Sequence, residues 1–488
     1  MKRYLVPACI VSFWLIMMGL LAYQELSVRK ADLATATALQ PTDSWLGVYL
    51  GENQRVGYLH VEEKPEPFED MPGRRSQLTA ELSLTFMGNK TGMLLTGYAW
   101  RATDQPRAQF DFRANAGTQT FRVEGGLKDK VLSANVHTGG ESFPISFPVS
   151  DELLISNGVG AALRIPAMEV GATYELDSFD PMTFSAGKTR IRCIGRERLE
   201  IGEKTYDALA LTMTSSGVTT HAWVSPSGEM LKVETPAGFT LVKITAEEAL
   251  DESVTGSATD ALLETRVPAL DKKPFRDAKH MTVKIEGIEL PNGLPSDDIQ
   301  KAILGGMLEI IPPLAPPADQ TYHESAEIIA EALRKDPLVQ SEHPKIVEQA
   351  AAIVGDATDN WDKANRIYAW VYESINKTAV WSVPSALEVL TTKQGDCNEH
   401  TVLYAALARA AGIPTRIVIG VVWSDEYDGF YYHAWPEVYV GQWIWMDPTL
   451  GQPIADATHI KLLTGGIEKW PQLYPFLGQL KVKVIEIE

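Results

Sequence analysis

Cysteine is scarce: the chain has three in 488 residues, Cys9, Cys193 and Cys397. That excludes a disulfide framework. In a chain exported to an oxidising compartment a solitary thiol points to reactivity, although burial as an inert thiol is the ordinary fate of a single cysteine. Basic charge is also short. Lys and Arg number 44 against 63 Asp and Glu, a formal net charge of −19. Phosphates would be repelled, so bulk nucleic-acid binding is excluded as a partner class. The residues are 45% hydrophobic and 22% charged, which excludes a disordered or fibrous chain. No repeat period is visible, and the length predicts about three structural units.

One long uncharged run stands at residues 4–23, YLVPACIVSFWLIMMGLLAY. It is long enough to cross a membrane as a helix, and Pro7 sits where a first turn tolerates it. Lys2, Arg3 and the free amine favour an N-in orientation, against the weaker pull of Arg29 and Lys30. The rival is a cleaved signal peptide, but the small-x-small sites at 34–36 and 36–38 lie far beyond the apolar run. Cys9 is followed by apolar residues, unlike a lipid-attachment cysteine. We therefore expect an uncleaved anchor over 1–30 and a polar linker over 31–43. The protein would be a single-pass inner (cytoplasmic) membrane protein with its bulk facing the periplasm or cell exterior.

From residue 44 to 250 the pattern is β. Residues 78–86 alternate apolar and polar, a strand with one wet face. Similar runs recur at 55–61, 93–100, 109–113, 121–123, 188–194, 209–214, 221–224 and 231–234, punctuated by Gly, Asn, Asp and Pro. This predicts antiparallel sheet, as a sandwich, open barrel or large curved sheet, with a short helix at 246–250. Residues 251–280 read as an interdomain linker. In 281–488 a strand-like stretch (281–290) and a Pro-rich segment precede helical periodicity at 344–354, 361–375, 385–390 and 397–411. β-like runs follow at 415–423, 430–440 and 442–446. The expected fold is thus α+β, with an antiparallel β-rich domain ahead of a C-terminal mixed unit.

The chemistry concentrates in that last unit. In Gly395-Asp396-Cys397-Asn398-Glu399, Asp396 can cap a helix, with Glu399 completing a capping box. Cys397 then opens the helix, where the dipole lowers a thiol pKa. The neighbouring carboxylates oppose that, so a base is needed. His433, in YYHAW, is the candidate. Asp447, in WMDPT, is the candidate orienter. Adjacent antiparallel strands can set these two side by side. A carboxylate holding one imidazole nitrogen leaves the other to take the thiol proton.

GDCNEHTVLYAALARAAGIPTRIV, then YYHAW, then WMDPT, resemble the transglutaminase-like superfamily of papain-fold thiol enzymes over residues 361–452, under a fifth of the chain. The resemblance implies a C-terminal transglutaminase-like (papain-like) domain and the triad Cys397, His433 and Asp447. It also implies acyl transfer through a thioester. The β domain resembles export-associated domains of bacterial envelope proteins, which assigns no residues. For the oxyanion, the Cys397 N–H is the first donor. Trp381, by analogy with an upstream tryptophan of the family, and Gln394 are candidates for the second. No acidic loop has calcium-binding spacing, so no metal and no cofactor are expected.

Taken singly, each motif has a bland alternative. Cys397 could be a buried small side chain, His433 a strand histidine and Asp447 a turn former. Their combination favours the catalytic assignment. His400, three residues from Cys397, could compete as a base, and Cys397, His400 and His433 could bind zinc, but no further motif closes such a site. A surface or supporting role is expected for His400. His60, His137, His221, His280, His323, His343 and His459 show no constellation, and Cys193 reads as structural. The aromatics around 423–445 read mostly as packing. The acidic turn 424–429, SDEYDG, reads as an exposed hairpin tip; if it rims the site, it would favour a basic substrate. The expected function is a membrane-anchored enzyme hydrolysing amide bonds of a protein or peptide substrate rather than cross-linking, since cross-linking must hold a second amine and exclude water. The alternative is a catalytically silent peptide- or protein-binding module of the cell envelope. The sequence leaves the oligomeric state open.

Overall fold

The structure is a computed structural model. It describes residues 28–30 and 41–488, apart from 52–53, 87–88, 117–118, 139, 150–152, 156–167, 181–184, 216–217, 237, 252–265, 289–292, 322, 379–384, 467–468, 470–471 and 474–475. Most of the expected anchor, residues 1–27, lies outside the described residues. No helix among the described residues is long and apolar enough to cross a membrane.

The N-terminal half is one sheet of sixteen strands among the described residues. Nearly all neighbours are sequential antiparallel pairs, as hairpin connections dictate. The exception that organises the domain is Phe239–Lys243, which pairs antiparallel with Thr42–Leu50. The last strand of the domain therefore joins Thr42–Leu50 and fuses two meanders, while Val28–Lys30 pairs parallel at one edge with Thr173–Asp180. Alternation fixes the faces: in Val131–Thr138, Leu132, Ala134, Val136 and Thr138 are buried while the residues between face outward. Two apolar clusters result, one around Leu59, Leu84 and Ile191, the other around Phe110, Val123 and Phe179. The expected short helix, Ala246–Leu250, closes the domain, and Thr245 caps it in a capping box with Glu248. Buried Arg55 donates to the carbonyls of Ala249 (3.1 Å) and Asp251 (2.8 Å).

The C-terminal unit begins inside the stretch expected to be a linker. Val267 exchanges backbone hydrogen bonds with Phe430 at 2.9 and 2.8 Å, and Ala269–Asp271 pairs parallel with Lys481–Ile487. Buried Val267 and Ala278 drive that docking, and the polar residues around them hid it. The same sheet holds Met281–Glu286, Gln300–Ile303 and Met307–Ile310. Helices Ala326–Leu333, Pro344–Val354, Asn360–Ser374, Ala386–Thr392 and Cys397–Ala410 follow. A second sheet has four strands in the order Trp443–Trp445, Gly429–Tyr439, Thr415–Ser424, His459–Thr464. The Cys397–Ala410 helix is buried along most of its length and packs on that sheet, burying Leu403, Tyr404 and Leu407 with Val418, Trp435 and Trp445.

The two domains touch. Thr138 donates to Glu388 at 3.1 Å in a buried contact, Leu338 enters the apolar cluster of the β domain, and Phe143 packs on the C-terminal core.

Candidate active site

The start of the Cys397–Ala410 helix is built as its residue types require. The Asp396 side chain accepts from the Asn398 and Glu399 backbone N–H groups, and Glu399 reaches back to the Asp396 N–H at 2.9 Å. That reciprocal cap fixes where the helix begins. Gly395 makes room for it: a Cβ there would lie 2.1 Å from the Glu399 Cβ. One turn into the helix, Thr401 donates to the Ala434 carbonyl at 3.0 Å. Cys397, four residues earlier on the same face, accepts the Ala434 N–H at its sulfur. The sulfur is therefore tied to the residue next to His433.

His433 lies on Gly429–Tyr439, directly opposite Gly420. The neighbouring strand runs antiparallel with Glu437 across from Trp445. Continuing that register sets Asp447 across from Trp435, two residues along from His433 on one face. The contact follows: His433 Nε2 and Asp447 Oδ2 are 2.8 Å apart, with Asp447 fully buried. Oδ1 of Asp447 accepts the N–H groups of Thr449 and Leu450, each at 2.8 Å. Gly420 is required here. A Cβ would stand 2.0 Å from the Ile460 carbonyl oxygen and 2.8 Å from the Trp435 ring, which crosses the central strand at this point.

Charge is distributed unevenly. Burial pushes the Cys397 thiol well above its usual range and Asp396 adds to the rise, while the Ala434 N–H acts the other way. The helix dipole does not win, so the resting group is a thiol. Burial likewise raises Glu399 well above the carboxylate range, reinforced by Asp396. Burial alone would raise Asp447, but the charges and hydrogen bonds of His433 and His459 outweigh it and hold it far below the usual carboxylate range.

Two further histidines lie near the site. His400 is fully buried, which leaves the supporting role and not the surface one of the two expected for it. Its Nδ1 bonds the Asp396 carbonyl at 2.7 Å, and its Nε2 has no partner among the described residues. Burial lowers its pKa, so it rests neutral. His459 is the member that sequence reasoning missed. It lies on the strand His459–Thr464, 3.0 Å from Asp447 Oδ2 through Nε2. Its Nδ1 lies 3.1 Å from the Asp456 carbonyl and 3.3 Å from Asp456 Oδ1. The only local signal was an Asp-x-x-His pair ahead of an apolar run. The ligand-capable atoms of His433, Asp447 and His459 lie within 4.8 Å of one another. Both imidazoles are already bonded to the one oxygen between them, which makes the group a hydrogen-bonded chain.

Trp381 lies outside the described residues. Gln394 is exposed on a two-residue strand paired with Asn376–Lys377. Cys193 is buried in a strand beside a bulge at Gly195. Trp423, Trp435 and Trp445 are buried in the core, as expected of packing residues. The 424–429 turn is an exposed tip, where Asp428 pairs with Lys273 at 2.7 Å.

Comparison with known proteins agrees with this region of the chain. The model of the Transglutaminase-like superfamily matches residues 347–448. No curated protein matches. Among solved structures, a candidate cysteine protease from Cytophaga hutchinsonii is similar at 15% identity and a TM-score of 0.28, over 44% of this chain and 85% of that one. A β-barrel-like domain of unknown function from Brucella abortus is similar at 9% identity and 0.31, over 42% and 95%. A candidate protease from Parabacteroides distasonis is similar at 11% identity and 0.20, over 80% and 68%. Residues 347–448, which carry the cysteine helix and the histidine strand, are a transglutaminase-like core.

Proposed function

We propose that this protein is a membrane-anchored thiol enzyme that hydrolyses amide bonds of a protein or peptide through a thioester on Cys397. The observation that carries this reading is the 2.8 Å bond from His433 Nε2 to Asp447, one residue from the N–H that meets the Cys397 sulfur. With Nε2 bound to Asp447, Nδ1 is the nitrogen left to act as base.

The thiol proton passes to Nδ1 as the sulfur attacks the amide carbonyl. The C–N bond breaks, and the imidazolium returns that proton to the departing amine. Water then attacks the thioester with His433 as base, the acid is released, and the thiol is restored. The N–H of Cys397, at a helix start without an intrahelical acceptor, is suited to the developing oxyanion. Trp381 or Gln394 supplies a second donor. The anchor at 1–30 holds the catalytic unit on the periplasmic or outer side.

The test uses full-length protein with p-nitrophenyl acetate as acyl donor and cadaverine as competing amine. We expect acetylation of Cys397, lost in Cys397→Ala, with acetate as the product. Acetylcadaverine as the main product would make the protein a transferase. Absence of any acetyl-enzyme would favour a silent binding module.

A further inference from the structure

Asp447 is not held by the turn and His433 alone. Oδ2 accepts from two imidazoles, His433 at 2.8 Å and His459 at 3.0 Å. His459 is fully buried, and both of its nitrogens face acceptors: a carboxylate on one side, a backbone carbonyl and the Asp456 carboxylate on the other. A ring nitrogen without hydrogen would confront an oxygen lone pair, so both nitrogens must donate. The ring is then an imidazolium.

The chain of partners continues outward. Asp456 Oδ2 accepts from Gln452 at 2.7 Å and from the Asp277 N–H at 2.9 Å, and meets Arg276 at 3.3 Å. Two buried carboxylates, Asp447 and Asp456, thus face two cations, His459 and Arg276, and that line of groups closes at neutrality. With a neutral His459 it would hold an uncompensated buried charge, which is costly.

We propose that His459 is a positioning residue of the thiol site: as a cation bonded to Asp447, it fixes that carboxylate and offsets its charge, setting the pH at which the Cys397–His433 pair becomes reactive. This inference rests on the proposed thiol chemistry and deepens it. Other groups facing the ring act on it weakly. Asp277 reaches it only through Gln452, at 3.4 Å. Lys461, further along the same strand, is committed to Glu437 and Asp297. From the helix side, the Asp447 charge acts on both Cys397 and His400. The Trp435 ring packs edge-on against His459, 5.1 Å between centroids, and shields it.

The experiment is the rate of Cys397 alkylation by iodoacetamide as a function of pH, in full-length protein. The acid limb belongs to the Cys397–His433 pair as a unit. Removing a nearby positive charge raises the proton affinity of that pair, whichever member holds the proton. His459→Gln is expected to move the limb upward by about one pH unit, about tenfold slower alkylation at a fixed acid pH. Asp456→Asn removes a negative charge from the far end and is expected to move the limb downward. Opposite shifts distinguish this role from damaged packing, which would lower the rate at every pH without moving the limb. A uniform fall or an unmoved limb in both variants, with alkylation still slowed by His433→Ala, overturns the role of His459 and leaves the thiol chemistry standing. Alkylation indifferent to His433→Ala overturns the thiol chemistry, and this inference with it. If neither variant folds, nitrogen-edited NMR of the wild-type protein decides: two protonated His459 nitrogens at neutral pH support the proposal, and one contradicts it.

Discussion

The two halves of this molecule treat charge in opposite ways. On the β sheet most ion pairs lie on the solvent face, with the enclosed Arg74–Glu63 pair at 3.0 Å as an exception. Asp111 is gripped by Arg122 at 2.7 Å and Arg113 at 2.9 Å, with about a quarter to half of each side chain exposed. Burial would raise Asp111, but the hydrogen bonds from the two guanidiniums outweigh it and bring it to about 2. The C-terminal unit has surface pairs too, such as Lys335–Glu342, but it also encloses a charged network. Lys461 joins Glu437 at 2.8 Å and Asp297 at 2.9 Å, with Glu437 fully buried. Burial would depress Lys461, but the two carboxylates raise it. Surface pairs are screened and contribute about 0–1 kcal/mol each. A buried pair that loses one member costs about 3–5 kcal/mol, because the other stays behind unsolvated. The β sheet is therefore held by alternation and apolar clusters, while the C-terminal unit also depends on buried charges matching.

That contrast can be broken, and the largest effect is expected from Lys461→Met. It leaves fully buried Glu437 with Arg416, at 3.7 Å, as its remaining cation and should destabilise the C-terminal unit by about 3–5 kcal/mol, read as a fall in its denaturant midpoint. Gly420→Ala should follow, at about 1–3 kcal/mol, because the new methyl meets the Ile460 backbone and the Trp435 ring. Arg122→Ala on the sheet should cost at most about 1 kcal/mol, and less in high salt. Equal costs for Lys461→Met and Arg122→Ala would erase the distinction.

Acid should separate the halves as well. Burial would raise Asp456, yet the hydrogen bond and charge of His459, with Arg276, hold it far below the usual range; Asp447 is shifted the same way. Groups with depressed folded values give stability that is complete above their unfolded pKa, about 3.9, and is lost as pH falls through the folded value. His459 is the reverse. Burial disfavours its charge, but Asp447 and Asp456 raise it, so its contribution is complete below its unfolded value of about 6.5 and is lost as pH rises through the folded one. Hydrogen exchange resolved along the chain by mass spectrometry should show the C-terminal unit losing structure in acid before the sheet does. Simultaneous loss would contradict this.

Much of this was legible in sequence because local rules govern it. The capping box at Asp396 and Glu399 is a four-residue pattern. Period two gave away the strands of the sheet, and the spacing of apolar residues gave away the helices at Pro344–Val354 and Asn360–Ser374. The rest depends on long-range pairing. His459 joins the site because its strand adds beside Thr415–Ser424, far from the strand that precedes it in the chain. Val267 and Ala269–Asp271 dock onto partners more than 150 residues away (a distance no periodicity encodes). The fate of the thiol was also a tertiary matter: the helix dipole is a local effect, and burial overrode it.

The two cysteines give the most direct test of the central claim. Cys193 is buried in a strand, and burial raises its thiol. Cys397 is partly accessible and stands beside the histidine strand. Mass spectrometry after brief treatment of the full chain with iodoacetamide at neutral pH should find the label on Cys397 and not on Cys193. His433→Ala should slow that labelling by about 10²–10⁴-fold, the usual effect of losing a general base. Equal labelling of both thiols, unchanged in His433→Ala, would contradict it.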